Sequence, residues 1–584
     1  MARRERQDPA AIAASETPEK AERLIHRMLQ RRPRDAAALE ALGTILEPQS
    51  RVAEIATPLV AVAMAGNASE RIFTLACAAA NERREFEASL RLARKGTLEY
   101  PDSPTLWHLR GRAELATSDA PSAAVSLERA HELAPDDLVI LARLADADLS
   151  RGAFPIPDRF ARALLDREPH VAAHHVRLGT AHRFNDRLDE AEACFRRAIE
   201  LDPSLQSAQA GLAETLESMG QSDAAADQLA PLLEAGTPSF STVTAWARVQ
   251  QRLGHPEEAI AAMERYLATN RGIASHKSNV LMRLGRAYEQ AGRFDDAFRC
   301  WTQGNQTHRG RWNPDAREQF VDTMIETLDA QSLRRLPHAS EAPFTPVLIV
   351  GMYRSGTTLT EQILSAHPDV RPCGESPAMP MAIQHLAGAC GTDGFPGTLA
   401  SADVAAVEAA RDIYVEEVTR HAQDGGTFLT DKLPMNYLNV GIANLLLPNA
   451  RVLHVVRDPM DTALSCYSQS FTSRMAFTAD LEHLGRTIMQ ERRIMRHWAE
   501  ACELPMLELR YEDLTANPQQ VLQGVLEFLD LPWTEDILRF HESRRVAATP
   551  SMDQVRKPIN RSAVGRASHF EAYLGPLRVA LGME

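Results

Sequence analysis

Along the first half of the chain the apolar residues, many of them alanine and leucine, recur at helical spacing. Beyond a proline-marked stretch from Pro337 to Thr345 they gather instead into short β-branched runs. The second pattern predicts strands at Pro346–Val350, Thr427–Thr430, Val452–Val456 and Met506–Leu509. Helices are expected between them near 357–366, 403–421, 435–446, 460–471, 481–501 and 517–529, and another near 316–335. Strand–helix alternation implies a parallel sheet covered on both faces, and such sheets bind ligands beyond the carboxyl ends of their strands.

Within the helical half, a small residue returns every 34 residues at Gly111, Ala145, Gly179, Ala213 and Ala247. Looser copies stand at Gly43, Ala76 and Gly285. In the segment around Gly179, Ala191, Phe195, Ala198 and Pro203 follow in order. Each unit reads as a pair of helices. Small residues let the backbones approach, large apolar ones fill the gap, and proline ends the second helix. One pair cannot bury its apolar face alone, so neighbours stack into a superhelix with a concave groove. The pattern resembles the tetratricopeptide repeat, with seven or eight copies over residues 18 to roughly 325. Phe154-Pro155-Ile156-Pro157 interrupts one copy. The expected domains are a disordered tail over 1–17, a repeat superhelix over 18–335, a linker over 336–345 and an α/β domain over 346–584.

Length agrees with this division, because 584 residues exceed the roughly 250–300 that one core sustains. The charge of −14 disfavours a general nucleic-acid binder. No apolar run approaches the ~20 residues of a membrane span, and the basic N-terminus has no apolar stretch behind it, so a cytoplasmic protein is expected. Seven scattered cysteines without a C-x-x-C pair read as reduced thiols rather than as a metal or disulfide framework.

The first predicted strand runs directly into Gly351-Met-Tyr-Arg-Ser-Gly-Thr-Thr and then a helix. Backbone N–H groups of such a loop, with a helix N-terminus behind them, cradle an oxyanion. A Walker loop would carry lysine after its second glycine; here Thr357 stands there and the cation is Arg354, which disfavours triphosphate chemistry. Downstream, Arg457 ends a strand and Ser465 lies two turns into the next helix, so both can address one phosphate. A local Arg457–Asp458 ion pair is the plainer alternative.

Residues 345–375 resemble the 5′-phosphosulfate loop of sulfotransferases that use 3′-phosphoadenosine-5′-phosphosulfate (PAPS). Residues 451–471 resemble their 3′-phosphate motif. The likeness is to the tyrosylprotein type, and to bacterial proteins joining tetratricopeptide repeats to such a P-loop-like α/β parallel-sheet domain. It implies Glu375 as catalytic base, beside what looks like an inserted Pro372, and Lys432 and Arg354 on the sulfate and leaving phosphate. It also implies a donor site of Arg354, Ser355, Gly356, Thr357, Thr358, Arg457, Ser465, Tyr511, Ser551, Gln554, Arg556, Lys557, Asn560 and Arg566, the last where a lysine is usual. PAPS would be the co-substrate, and no metal is needed because side chains supply the cations. The acceptor is expected to be a protein or peptide hydroxyl, plausibly tyrosine, presented by the repeat groove. A saccharide or lipid acceptor, or a non-catalytic nucleotide-binding module on a repeat scaffold, are the alternatives. Glu375 as a helix cap, Lys432 paired with Asp431, and His367 or His454 as base also stay open.

Overall fold

The computed structural model describes residues 8–66, 68–117, 119–150, 156–269, 273–307, 312–391, 394–422, 426–471, 473–542 and 558–583. The chain parts into two compact units, Met1–Thr215 and Leu216–Glu584.

The first unit is helical throughout its described residues. Typical pairs are Pro104–Ala116 with Ala120–Leu133, and Ala172–Phe184 with Leu188–Leu201. Ser103 starts one of them, its Oγ accepting from Leu106 N at 3.2 Å, with Pro104 at the first helical position. The recurring small residue sits where the paired helices touch. A Cβ added at Gly111 would lie 2.9 Å from Leu127 Cδ2. The tail expected over residues 1–17 is in part ordered: Pro9–Ser15 forms a helix. Asp8 caps it by accepting from Ala10 N at 3.0 Å, and Ile12 and Ala13 pack on the first apolar cluster. Phe154 and Pro155 lie outside the described residues. Just after them, Ile156 is clasped by the Asn185 side chain, and the helix that follows, Arg159–Arg167, spans only nine residues.

The second unit opens with further helix pairs, among them Ala274–Gln290 with Phe294–Thr307, and continues into a five-stranded sheet. Its strands are β1 (Thr345–Val350), β2 (Val370–Pro372), β3 (Phe428–Asp431), β4 (Arg451–Val456) and β5 (Met506–Arg510). They lie in the order β2-β3-β1-β4-β5, all parallel, with Val347 opposite Thr430 and Leu348 opposite Val452. Alternation along β1 feeds both faces. Val347 and Ile349 join a cluster with Ile363, Leu453, Leu522 and Phe540, whereas Leu348 and Val350 join a larger one. That larger cluster also holds Trp301, Phe298, Val321 and Met324 from the preceding helices. The repeats of this unit and the sheet therefore share one core.

The stretch over 336–345 is accordingly no free tether. Ala339 N donates to Leu445 O at 2.8 Å, and Asn449 Nδ2 donates to Ala342 O and Phe344 O at 3.0 and 2.9 Å. Strand β2 and the helices Ala378–Cys390, Tyr511–Ala516 and Gly575–Ala580 are among the elements outside the sequence expectation. Strand β2 is three residues long at the sheet edge, where Pro372 removes no ladder donor that a neighbour needs. Among the described residues no helix is long and apolar enough to cross a membrane.

Candidate active site

All five strands deliver side chains to one end of the sheet, the carboxyl end. Strand β1 runs into the loop Gly351–Gly356 and the helix Thr357–Leu364. Gly351 and Gly356 have φ of +147° and +113°, and Arg354 between them has φ of +67°. A Cβ on Gly351 would strike the Val455 carbonyl of β4, and one on Gly356 would lie 2.7 Å from the Tyr511 ring. Both glycines are thus required by close approach as well as by conformation. Ser355, Thr357 and Thr358 are buried at the mouth of the helix.

From this loop Arg354 Nε donates to Ser465 Oγ at 3.1 Å, so the loop and the helix after β4 meet. Arg457, at the end of β4, donates from Nη1 to Arg354 O at 3.2 Å and from Nη2 to Ala563 O. Its guanidinium lies 4.9 Å from the Tyr511 ring centre and faces Asp461 at 3.8 Å. Asp458 is not its ion-pair partner. That carboxylate caps the helix Pro459–Tyr467, accepting from Met460 N and Asp461 N at 2.9 Å.

Burial is the main cause that brings the Arg354 guanidinium down to about 10, and the neighbouring charges of Arg286, Arg457 and Arg566 push the same way. It stays charged at neutral pH. Partly buried cations gathered this closely, Arg354, Arg457 and Arg566, with Asp461 facing the second and Glu289 the third, suit an added anion. Two further observations fit a phosphate-bearing ligand. Ser355 Oγ and Arg457 Nε are buried, and neither has a hydrogen-bond partner among the described residues.

On the other side of β1 lie the two remaining candidates. Glu375 follows β2 and Lys432 follows β3; the pairing of those strands continues as Cys373 N to Thr430 O and Lys432 N to Gly374 O, both 3.0 Å. The continuation sets the two side chains side by side, with Lys432 Nζ donating to Glu375 Oε1 at 2.8 Å. The lysine side chain is fully buried and the glutamate 44% exposed, so the pair links the interior to the accessible side. Lys432 is therefore no surface partner of Asp431. Nor is Glu375 a helix cap: Pro377 stands at the N-cap of the helix Ala378–Cys390, and the hydroxyl that accepts from Ala378 N, at 3.2 Å, is Ser376 Oγ.

Behind this pair sit two buried carboxyls: Glu361, which the sequence reading did not single out, and Asp431, which it weighed only as a surface partner of Lys432. Glu361 accepts from Gly374 N at 3.0 Å and Thr430 Oγ1 at 2.9 Å, and burial raises its pKa. Asp431 is raised to about 7, again chiefly by burial. The histidines are engaged elsewhere: His367 Nε2 meets Pro532 O at 3.0 Å and His454 Nε2 meets Glu491 at 2.5 Å.

The late loop is partly described. Ser551, Gln554, Arg556 and Lys557 lie outside the described residues. Asn560 is exposed and turns on itself, accepting from Ser562 N and Oγ and donating to Pro558 O. Arg566 reaches the site with its guanidinium held by Glu289, a residue 277 positions earlier. The role of Asp461 had a signal, since it follows Arg457 by one helical turn. For Glu289 a local pattern offers none.

Residues 346–535 match the model described as sulfotransferase family, and residues 175–205 and 244–299 match tetratricopeptide repeat models. An uncharacterized protein of Aquifex aeolicus is 33% identical over 50% of this chain and 40% of its own length. A protein-tyrosine sulfotransferase of Drosophila melanogaster is 28% identical over 38% of this chain and 46% of its own. Protein-tyrosine sulfotransferase 1 of Homo sapiens is 24% identical over 44% and 71%. The chain spans less than half the length of the first two relatives. It joins tetratricopeptide repeats to a sulfotransferase-family domain, and it is homologous to protein-tyrosine sulfotransferases.

Proposed function

We propose that the chain transfers a sulfuryl group from PAPS to an acceptor hydroxyl, with a tyrosine of a protein or peptide as the acceptor. The observation that carries the reading is the Lys432–Glu375 pair at the carboxyl ends of β3 and β2, one strand away from the phosphate loop after β1. A buried cation and a half-exposed carboxylate in contact are the parts that in-line sulfuryl transfer needs.

Glu375 takes the proton of the acceptor hydroxyl as its oxygen forms a bond to sulfur. The bond from sulfur to the 5′-phosphate oxygen breaks, and 3′-phosphoadenosine-5′-phosphate leaves with that electron pair. A phenol of pKa ~10 needs such a base near neutral pH. Lys432 and Arg354 oppose the charge that builds on the sulfate and bridging oxygens, as cations do in phosphoryl transfer. Arg457 and Ser465 hold the 3′-phosphate, and Tyr511 offers its ring beside the adenosine. These cations are side chains, so the reading involves no metal.

Incubating the chain with [35S]PAPS and a tyrosine-containing peptide library tests the reading. Label on tyrosine, stable to mild alkali, is expected. Label confined to glycan or lipid in a crude extract would replace the acceptor assignment. Calorimetry tests the donor: 3′-phosphoadenosine-5′-phosphate is expected to bind more tightly than ATP–Mg²⁺, and the reverse order would overturn the reading.

A further inference from the structure

Helix Ala274–Gln290, in the last helix pair before the sheet, reaches into the candidate donor site. The Glu289 carboxylate accepts from Arg566 Nε at 2.5 Å and from Nη2 at 2.9 Å, a two-point clasp. The same Nη2 donates to Ser468 Oγ at 3.1 Å, and the guanidinium lies 5.3 Å from the centre of the Trp301 ring. Both side chains of the clasp are about four-fifths buried, with exposures of 20% and 19%.

The contacts continue inward. Ser468 Oγ donates to Ser465 O at 3.4 Å, and Ser465 Oγ accepts from Arg354 Nε at 3.1 Å. The backbone on either side of Arg566 is fixed by the site itself, because Gly565 N and Ala567 N donate to Asp461 at 2.6 and 2.8 Å, and Asp461 faces Arg457. So the site holds the backbone of Arg566 and the repeat holds its side chain. One edge of the guanidinium is used in this way. Among the described residues its Nη1 has no hydrogen-bond partner, which leaves the other edge for a ligand.

A carboxylate beside a cluster of cations is a poor choice for mere adhesion, since it weakens the field that draws in an anion. Adhesion is already supplied by ring contacts: Phe298 stacks on Tyr573 at 4.5 Å, and Phe294 on His569 at 4.6 Å. The two-point geometry gives what apolar packing lacks, a fixed plane for one arginine. We propose that Glu289 is a positioning residue of the donor site, orienting Arg566 toward the 3′-phosphate, so that the last repeat completes the site. The inference rests on the donor reading above.

The test uses the full chain and calorimetry with two probes, 3′-phosphoadenosine-5′-phosphate and 5′-AMP, which lacks the 3′-phosphate. Glu289→Ala is expected to weaken the first probe by roughly tenfold or more, the scale of a charge-assisted contact, and to leave the second nearly unchanged. Arg566→Ala should do the same, and the double variant should bind no worse than Arg566→Ala alone, because both act through one guanidinium. Glu289→Gln keeps an acceptor for Arg566 and serves if the alanine variant does not fold; its smaller loss should again be confined to the first probe. Equal losses for both probes, additive losses in the double variant, or unchanged binding would each overturn the positioning role. If the unaltered chain shows no preference for 3′-phosphoadenosine-5′-phosphate over 5′-AMP, the donor reading itself falls, and the inference with it.

Discussion

Glu375 and Lys432 meet because their strands are neighbours, and their contact makes separate predictions for chemistry and stability. Glu375→Gln keeps the size of the side chain and an oxygen for Lys432, but it cannot take a proton. The kcat should fall by roughly 10²–10⁴-fold, the usual worth of a general base, with donor Kd unchanged. Removing the acceptor altogether, as in Glu375→Ala, leaves a buried ammonium unmatched and should also lower the melting temperature. A fully active Glu375→Gln enzyme would refute the base assignment. Asp431, one residue before Lys432, sets a pH dependence. Its folded pKa of about 7 stands above the ordinary carboxyl value because burial penalises the charge. The unfolded chain then loses its proton first as pH rises. The stabilising contribution is full below the ordinary carboxyl pKa and is lost as pH climbs to about 7. Melting curves from pH 4 to 8 should show this decline, and Asp431→Asn should remove that part of it.

At the scale of elements, the site is the carboxyl edge of a parallel sheet, and most of that edge is legible in the sequence. Four of the five strands fall on runs that the sequence marks, β1, β3 and β4 mostly buried and β5 with only Leu509 buried, and the loop after β1 has its glycines where a sharp turn and a close neighbour demand them. Strand β2 is hidden because three residues, two of them Arg371 and Pro372, carry no apolar period. Its role is nonetheless central, since it aims Glu375. Arg354, Arg457, Ser465 and Tyr511 are readable from motif and position, and the structure brings them together. The partner of Arg566 is not readable, because a contact across 277 residues leaves no local trace. The loop makes a prediction of its own. Gly351→Ala would force a Cβ against the Val455 carbonyl, a backbone atom that cannot turn aside. The loop must shift at a cost of about 1–3 kcal/mol. Weakened binding of 3′-phosphoadenosine-5′-phosphate together with a lower melting temperature is expected; full affinity would show that the cradle tolerates the shift.

For the whole molecule, the place where the sequence changes character differs from the place where the structure divides. Composition turns from alanine-rich helices to strands near Pro337, yet the compact units part between Thr215 and Leu216. The reason lies in what the last helices bury. Trp301, Phe298, Val321, Met324 and Leu328 belong to the same apolar cluster as Leu348, Tyr437 and Trp498. Asn305 Nδ2 donates to Tyr467 O at 2.9 Å, and Arg486 pairs with Asp315 and Glu318. Each fully buried large apolar side chain contributes about 1.5–3 kcal/mol, so five together contribute roughly 7–15. That equals the whole stability of an ordinary domain, about 5–15 kcal/mol. A chain cut to Leu336–Glu584 should therefore fail to unfold cooperatively and should expose apolar surface to a dye such as ANS. A chain cut to Leu216–Glu584 keeps the cluster intact and should melt in one transition while retaining 3′-phosphoadenosine-5′-phosphate binding. Calorimetric melting of the two fragments side by side decides the matter. A cooperative, nucleotide-binding Leu336–Glu584 fragment would show that the repeats are attached to the catalytic fold rather than built into it.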